Sequence, residues 1–204
     1  MTNDIIFEKE QSFKYCKMDI RTLTIEEIRQ TYKEHLSYDF PPDELKPLDR
    51  IEVSINEGKY LCIGAFGDDG KLVAYAFFVM TGDKCLLDYY AVISELRGKG
   101  IGSAFLSEAI KKAGSSFMII EIDDPSEAPD EKEKLICQKR MDFYLNAGCI
   151  NTEVRVAAFG VRFLLLEYPL KQEHSALEVS EGYKDIYRKI LPQRMFDENI
   201  KIIN

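Results

Sequence analysis

The residues best suited to chemistry in this sequence lie in one short segment, Arg97-Gly98-Lys99-Gly100-Ile101-Gly102-Ser103. Glycine lets the backbone adopt positive φ angles and approach a ligand closely, because it has no Cβ. An apolar run at residues 85–93 precedes the segment and predicts a strand, and apolar residues at helical spacing follow it from 105 to 113. A strand, a glycine loop and a helix N-terminus can together bind an anion, because the first N–H groups of a helix are unpaired and lie at the positive end of its dipole.

Spacing excludes the two best-known glycine loops. A P-loop needs Ser or Thr directly after its Gly-Lys pair, but Gly100 follows Lys99. A dinucleotide-binding loop counted from Gly98 needs a glycine where Ser103 stands. The spacing therefore argues against a nucleotide-binding protein, and the pattern that remains is Arg97-x-x-Gly100-x-Gly102. The alternative is a glycine-rich turn that only joins a strand to a helix.

Acidic side chains within apolar strands are a second candidate for chemistry. Asp88 and Glu121 each interrupt an apolar run that predicts a strand, whereas Asp123 begins a loop. A carboxylate in an apolar strand costs free energy unless it is paired. Each strand acid therefore either binds a cationic group of a ligand or forms a structural ion pair, for which Arg140 and Arg155 are the expected partners.

Tyr144 is a candidate proton donor near the end of a predicted helix, residues 131–146. An unperturbed phenol has a pKa of about 10, so it is protonated at neutral pH and can give a proton to a stronger base. The alternative is that Tyr144 is a core aromatic, since Phe143 lies beside it in the same helix.

The composition limits the kinds of partner. The chain has 204 residues, 46% hydrophobic residues and 30% charged residues, which fits a globular domain with or without a tail. A formal charge of −8 argues against nucleic acid or an anionic membrane as a partner. The sequence contains no recognisable signal peptide and no long apolar run, and its five cysteines form no C-x-x-C pattern. A cytoplasmic protein with buried thiols is therefore expected. Two histidines give no sign of a metal cluster.

Periodicity and turn residues predict the elements around these residues. Gly67-Asp68-Asp69-Gly70 is a hairpin signal, and Thr81-Gly82-Asp83-Lys84 is a second short turn, so the three strands that they join should be antiparallel. The strand reached through a helix after the glycine loop should run parallel to the strand before that loop. The predicted strands are 13–20, 60–66, 72–80, 85–93, 117–122, 152–159 and 161–168. The predicted helices begin at the Thr24-x-x-Glu27 capping box, at 42 (ending at 58), after the glycine loop, at 131 and at 180.

This order of elements resembles the GNAT superfamily of N-acetyltransferases over residues 13–170. The Arg97-x-x-Gly100-x-Gly102 pattern is similar to the family's acyl-CoA pyrophosphate loop, and Tyr144, four residues before Gly148, is similar to the end of its fourth helix. The family usually has Phe or Tyr after that glycine, where this chain has Cys149. Two further segments, FPPDE at 40–44 and LDYYAV at 87–92, resemble a group of bacterial members.

The resemblance implies an α/β fold with a mixed sheet, in which antiparallel strands accompany one parallel, splayed pair and a C-terminal helix follows. It implies a GNAT domain at 1–170 and a helical extension at 171–204, which either packs on the domain or forms a homodimer contact. The implied reaction is transfer of an acetyl group from acetyl-CoA to a primary amine of a small molecule or peptide, without a metal. The alternative is a catalytically inactive GNAT-like module that binds acyl-CoA or serves in regulation.

The resemblance also assigns roles to residues. Backbone N–H groups of the loop would hold the pyrophosphate, while its basic side chains either add charge or stay solvated. Main-chain groups at the strand end would pair with the pantetheine arm, with the Val92 N–H as oxyanion donor. Tyr144 would protonate the thiolate, and Asp88 and Glu121 would hold the amine, unless ordered water removes its proton without a single base. The implied cofactor-binding residues are Tyr90, Ala91, Val92, Arg97, Gly98, Lys99, Gly100, Ile101, Gly102 and Ser103.

Overall fold

Eight strands and six helices are present in the residues that a computed structural model of the chain describes, 18–42 and 44–203. The strands are β1 (Asp19–Thr22), β2 (Tyr60–Phe66), β3 (Leu72–Thr81), β4 (Lys84–Val92), β5 (Phe117–Asp123), β6 (Ile150–Ala158), β7 (Val161–Tyr168) and β8 (Ile200–Ile203). The helices are α1 (Ile25–Thr31), α2 (Leu48–Asn56), α3 (Ile101–Ala113), α4 (Glu131–Asn146), α5 (Ala176–Ile190) and α6 (Gln193–Asn199).

The strands form one mixed sheet in the order β1-β2-β3-β4-β5-β7-β6-β8. β4 and β5 are the parallel pair, and α3 is the helix that connects them. The pairs β1–β2, β5–β7, β6–β7 and β6–β8 are antiparallel. The predicted mixed α/β fold with a single parallel pair is therefore confirmed.

Local sequence signals explain where the first helix begins. The Thr24 side chain accepts a hydrogen bond from the Glu27 N–H, and the Glu27 carboxylate accepts one from the Thr24 N–H, as the predicted capping box requires. After α1 the chain continues through a π-helical stretch, Tyr32–Leu36, and a last turn, Ser37–Asp39. The predicted first strand is observed only in part, because residues 13–17 lie outside the described ranges.

The second helix begins later than its prolines predict. Pro42 lies in a turn, and α2 starts at Leu48 with Pro47 as its N-cap. A proline disfavours helical angles in the residue before it, so Lys46 is held outside the helix. Among the residues that the prediction gave to the helix, 42 and 44–47 are described and lie outside it, and Lys46 is one of them.

The C-terminal segment is more than the single predicted helix. α5 has its own capping box at Ser175 and Glu178, and its Gly182 lies so close to Phe117 that a Cβ there would be 2.3 Å from the ring. After α6, β8 pairs with β6 in the register Arg155↔Ile203 to Ala158↔Ile200. The extension therefore adds a strand to the sheet, while the predicted boundary at residue 171 stays a prediction.

Two compact units are distinguished within the described chain. One comprises the described residues up to Leu45 with Cys62–Phe77 and Tyr89–Lys112, and the other comprises Lys46–Leu61, Phe78–Asp88 and the residues from Ala113 onward. Each has its own fully buried side chains, such as Tyr75 and Phe105 in the first and Met118 and Tyr183 in the second. None of the helices in the described ranges is both long and apolar enough to cross a membrane.

Candidate active site

The glycine loop follows β4 in the first unit and leads into α3. Gly98 and Gly100 both have φ of 78°, a left-handed conformation that side chains with a Cβ rarely adopt. A Cβ built at either glycine meets no atom within 4 Å, so the outer side of the loop is open. An open backbone surface directly before the N-terminus of a 13-residue helix fits a diphosphate group.

Arg97 is engaged within the protein. Its Nε donates to the Val92 carbonyl oxygen at 2.9 Å, and its Nη2 lies 2.7 Å from Asp39 Oδ1. The other Asp39 oxygen accepts from the Tyr75 hydroxyl at 2.8 Å. Burial and the Asp39 charge raise the pKa of Tyr75, so its hydroxyl stays a donor. These contacts fix Val92 relative to the loop, a role that neither sequence alternative for the Arg97 charge had included.

Tyr90 joins the end of β4 to the start of α3. Its hydroxyl donates to the Gly102 carbonyl oxygen at 2.5 Å, and its ring stacks on Phe105 with centroids 5.7 Å apart. The structure therefore brings the predicted strand residues 90–92 and the predicted loop residues 97–103 together in one unit. Ala91 is buried and Val92 is half-buried at the same strand end.

The two strand acids lie in the second unit, where the β4–β5 pairing ends. The last registered pair is Leu87↔Ile120, so Asp88 and Glu121 are the next residue on each strand. Their carboxylates are close enough for the Asp88 charge to raise the pKa of Glu121. The structure thus places both predicted acids in one cluster.

Asp88 is paired with groups from the segment before α2 and from β2. Its Oδ1 is 2.5 Å from Lys46 Nζ, and its Oδ2 accepts a hydrogen bond from the Tyr60 hydroxyl. The Asp88 side chain is 4% exposed, so both contacts offset the cost of burying its charge. The expected partners bind the neighbouring acids instead: Arg140 pairs with Asp123 and Arg155 pairs with Asp124, each at 2.6 Å.

Glu121 is held by two tyrosines of α5. Its Oε1 accepts from the Tyr183 hydroxyl at 2.5 Å and from the Tyr187 hydroxyl at 2.9 Å. Burial raises the pKa of Glu121 above the ordinary range, and the Asp88 charge raises it further. The two phenols and the Lys46 ammonium lower that pKa, although burial outweighs them.

Tyr144 is buried in α4, in the second unit. Its ring lies at 5.1 Å from that of Phe143 in an edge-to-face contact, and its carbonyl oxygen accepts from the Cys149 N–H at 3.0 Å. Burial raises the pKa of Tyr144, which keeps the phenol protonated at neutral pH. Cys149 lies beside it, and burial raises the pKa of this thiol to about 12.

Sequence reasoning missed four members of the acid cluster: Lys46, Tyr60, Tyr183 and Tyr187. The two helical tyrosines are spaced i, i+4, and nothing in the local sequence shows that their hydroxyls reach a carboxylate. In the described ranges, no group of three or more His, Cys, Asp or Glu side chains is arranged to hold a metal ion.

Residues 24–128, just over half of the chain, match the family model described as "Acetyltransferase (GNAT) family". The match contains the glycine loop and both strand acids, and it ends before α4. No curated protein matches the chain significantly in sequence.

Solved structures share the fold at low sequence identity. A putative acetyltransferase from the GNAT family of Bacteroides thetaiotaomicron is 17% identical, with a TM-score of 0.65 over 84% of this chain and 97% of that one. The ribosomal-protein-S18-alanine N-acetyltransferase of Escherichia coli is 18% identical, with a TM-score of 0.55 over 78% and 97% of the two chains. Spermidine N-acetyltransferase from Vibrio cholerae, in complex with CoA and spermine, is 10% identical, with a TM-score of 0.55 over 74% and 94%.

Proposed function

The chain belongs to the GNAT family of acetyltransferases, and we propose that it transfers an acetyl group from acetyl-CoA to a primary amine of a small molecule or a peptide. The observation that carries this proposal is the loop 97–103, with its two left-handed glycines, its open outer side and the helix that follows. Two similar structures support an amine acceptor, since one holds spermine with CoA and the other is named for a ribosomal-protein alanine.

Acetyl-CoA supplies an acetyl group activated as a thioester. Backbone N–H groups of the loop and of the first turn of α3 would hold its pyrophosphate. Lys99 would add positive charge there, because the Arg97 guanidinium is already paired with Asp39. Gly98 and Gly100 would allow the close approach that a side chain would block.

Beyond Leu87, where the registered pairing with β5 ends, the edge of β4 that faces away from β3 would hold the pantetheine arm. The Ile93 N–H donates to the Val73 carbonyl at 3.0 Å, so Ile93 bonds on the β3 side. Successive residues of a strand bond on opposite edges, and Tyr90 and Val92 therefore direct their peptide groups away from β3. That edge can accept an extended ligand as an added strand, and the Val92 N–H is then the oxyanion donor.

Asp88 and Glu121 would hold the substrate ammonium on the acceptor side. The Lys46 ammonium lies 2.5 Å from Asp88, so this carboxylate accommodates an ammonium group in the folded chain. Nearby carboxylates raise the pKa of an amine, so the substrate proton would leave late, to Glu121 or to water. Tyr144, kept protonated by its burial, would then protonate the leaving thiolate.

A panel of amines incubated with acetyl-CoA, with thiol release as the readout, tests the acceptor class. We expect cationic amines to be the best acceptors, with kcat/KM rising with pH up to the pKa of the amine. Asp88→Asn should raise KM for the amine several-fold and leave KM for acetyl-CoA unchanged. If neutral or anionic acceptors react best, or if Asp88→Asn keeps the wild-type KM, the two acids are structural.

A further inference from the structure

Two tyrosines of the C-terminal extension converge on one carboxylate oxygen. Tyr183 and Tyr187 lie on the same face of α5, with ring centroids 4.9 Å apart and exposures of 0% and 3%. Both hydroxyls donate to Glu121 Oε1, at 2.5 and 2.9 Å. Packing alone does not require a hydroxyl on either ring, because phenylalanine fills nearly the same volume. The hydroxyls therefore serve the carboxylate.

The position of these hydroxyls is fixed by the way α5 is anchored. Asp185 of α5 lies 2.9 Å from Lys84 Nζ at the start of β4, and Lys189 Nζ donates to the Thr81 carbonyl at 3.2 Å. Gly182 brings the helix backbone against Phe117 at the start of β5. Since β4 and β5 carry Asp88 and Glu121, α5 is tied to both strands on which the acids lie.

The electrostatic setting of Glu121 is a balance between opposed groups. Burial and the Asp88 charge on β4 favour the protonated acid, whereas both α5 phenols and the Lys46 ammonium before α2 favour the carboxylate. Removal of one phenol hydroxyl shifts this balance toward the protonated form. The tyrosines are therefore placed to set the pH range in which Glu121 can accept a proton.

We propose that Tyr183 and Tyr187 are positioning residues that orient Glu121 as the proton acceptor for the substrate ammonium, which makes the C-terminal extension part of the acceptor machinery. This inference rests on the proposed function. The substrate ammonium gives one proton to the second oxygen of Glu121, which passes it to solvent. As the C–N bond forms and the C–S bond breaks, the nitrogen loses its second proton to solvent and the thiolate receives one from Tyr144. Solvent then returns a proton to Tyr144, so that amide, free thiol and one net released proton are formed.

The pH profile of kcat tests this role in Tyr183→Phe and Tyr187→Phe, with a cationic amine and saturating acetyl-CoA. Each variant should move the acidic limb upward by about one pH unit, which lowers kcat on that limb about tenfold, and should approach the wild-type rate at high pH. The affinity for acetyl-CoA should not change. A ¹³C NMR titration of the Glu121 carboxyl, assigned with Glu121→Gln, should show the same upward shift in the free protein.

Asp185→Asn is the matched control, because it removes the contact with Lys84 without touching Glu121, while Lys189 and Gly182 still hold α5 in place. It should lower stability and leave the acidic limb in place. If the tyrosine variants keep the wild-type acidic limb of the kcat profile and the wild-type titration of Glu121, or if they only lose stability as Asp185→Asn does, the inference is wrong. Turnover by the wild-type protein would still support the proposed function in that case. Absence of acetyl transfer by the wild-type protein to every amine at every pH would overturn both.

Discussion

At the scale of single residues, Tyr144 is the sharpest test of catalysis. In the proposed mechanism its hydroxyl acts only when charge develops on sulfur, so Tyr144→Phe should lower kcat about 10²- to 10⁴-fold and leave acetyl-CoA affinity nearly unchanged. Steady-state kinetics and calorimetry measure the two effects separately. Tyr168→Phe, which removes a phenol hydroxyl from β7 in the same unit, should keep the wild-type kcat. A Tyr144→Phe variant with wild-type turnover would reduce Tyr144 to a core side chain.

A second prediction for a single residue concerns the pH dependence of stability that Glu121 causes. Because burial raises the pKa of Glu121 in the folded state, its contribution to stability is full below the unfolded pKa and is lost as pH rises through the folded one. Glu121→Gln does not titrate, so its Tm relative to wild type should rise with pH. Each kcal/mol of difference in the free energy of unfolding should shift Tm by about 2–4 °C in a chain of this size. A Tm difference that is the same at pH 4.5 and pH 8 would contradict the raised pKa.

The two strand acids could be predicted from the sequence, but their partners could not. An acid in an apolar strand predicts that a partner exists, and this was sufficient to single out Asp88 and Glu121. The partners lie far along the chain: Lys46 and Tyr60 for Asp88, and two α5 tyrosines for Glu121. No local pattern encodes such contacts, because they depend on tertiary packing.

At the level of elements, the strand–loop–helix unit is the proposed cosubstrate site. Gly100→Glu would place a side chain and a negative charge at the open face of the loop, so we expect acetyl-CoA affinity to fall at least about tenfold, or ~1.4 kcal/mol. Calorimetry with acetyl-CoA measures this loss.

Gly70→Glu separates this effect from backbone strain. Gly70 has φ of 73° in the β2–β3 hairpin and an equally open Cβ direction, so the same substitution imposes similar strain away from the loop. It should keep wild-type affinity for acetyl-CoA. Unchanged affinity in a folded Gly100→Glu protein would remove the loop from the binding site.

Elements that depend on neighbouring residues were predictable, and elements that depend on distant partners were not. The capping box of α1, the β2–β3 hairpin and the parallel β4–β5 pair follow from local patterns and chain connectivity. The start of α2 depends on Pro47, which disfavours helical angles in the residue before it, and the predicted start at 42 did not include this effect. β8 has only four residues and exists as a strand because it pairs with β6, so no local signal could predict it.

At the scale of the whole molecule, cosubstrate binding should stabilise the fold. A ligand that binds only the folded state at about 100 times its Kd adds ~2.7 kcal/mol, or several degrees in Tm for a chain of this size. Acetyl-CoA should therefore raise Tm in a concentration-dependent way, and adenosine without the phosphates should not. If Tm does not change with the concentration of acetyl-CoA, the protein does not bind this cosubstrate at any site.

The net charge of −8 belongs to the same scale. An acidic protein attracts cationic molecules by electrostatic steering and repels polyanions. A cationic acceptor is consistent with this charge and with the buried carboxylates of the second unit. Its on-rate should fall as ionic strength rises, since screening weakens steering.

The stoichiometry of acetyl transfer tests the proposed activity most directly. Purified protein is incubated with acetyl-CoA, with and without a cationic amine, and free thiol and acetylated amine are quantified together. We expect amine-dependent thiol release with one acetylated product for each thiol, and loss of both in Tyr144→Phe. Acetyl-CoA binding without product, or thiol release that does not depend on the amine, would contradict it and favour a binding module without transferase activity.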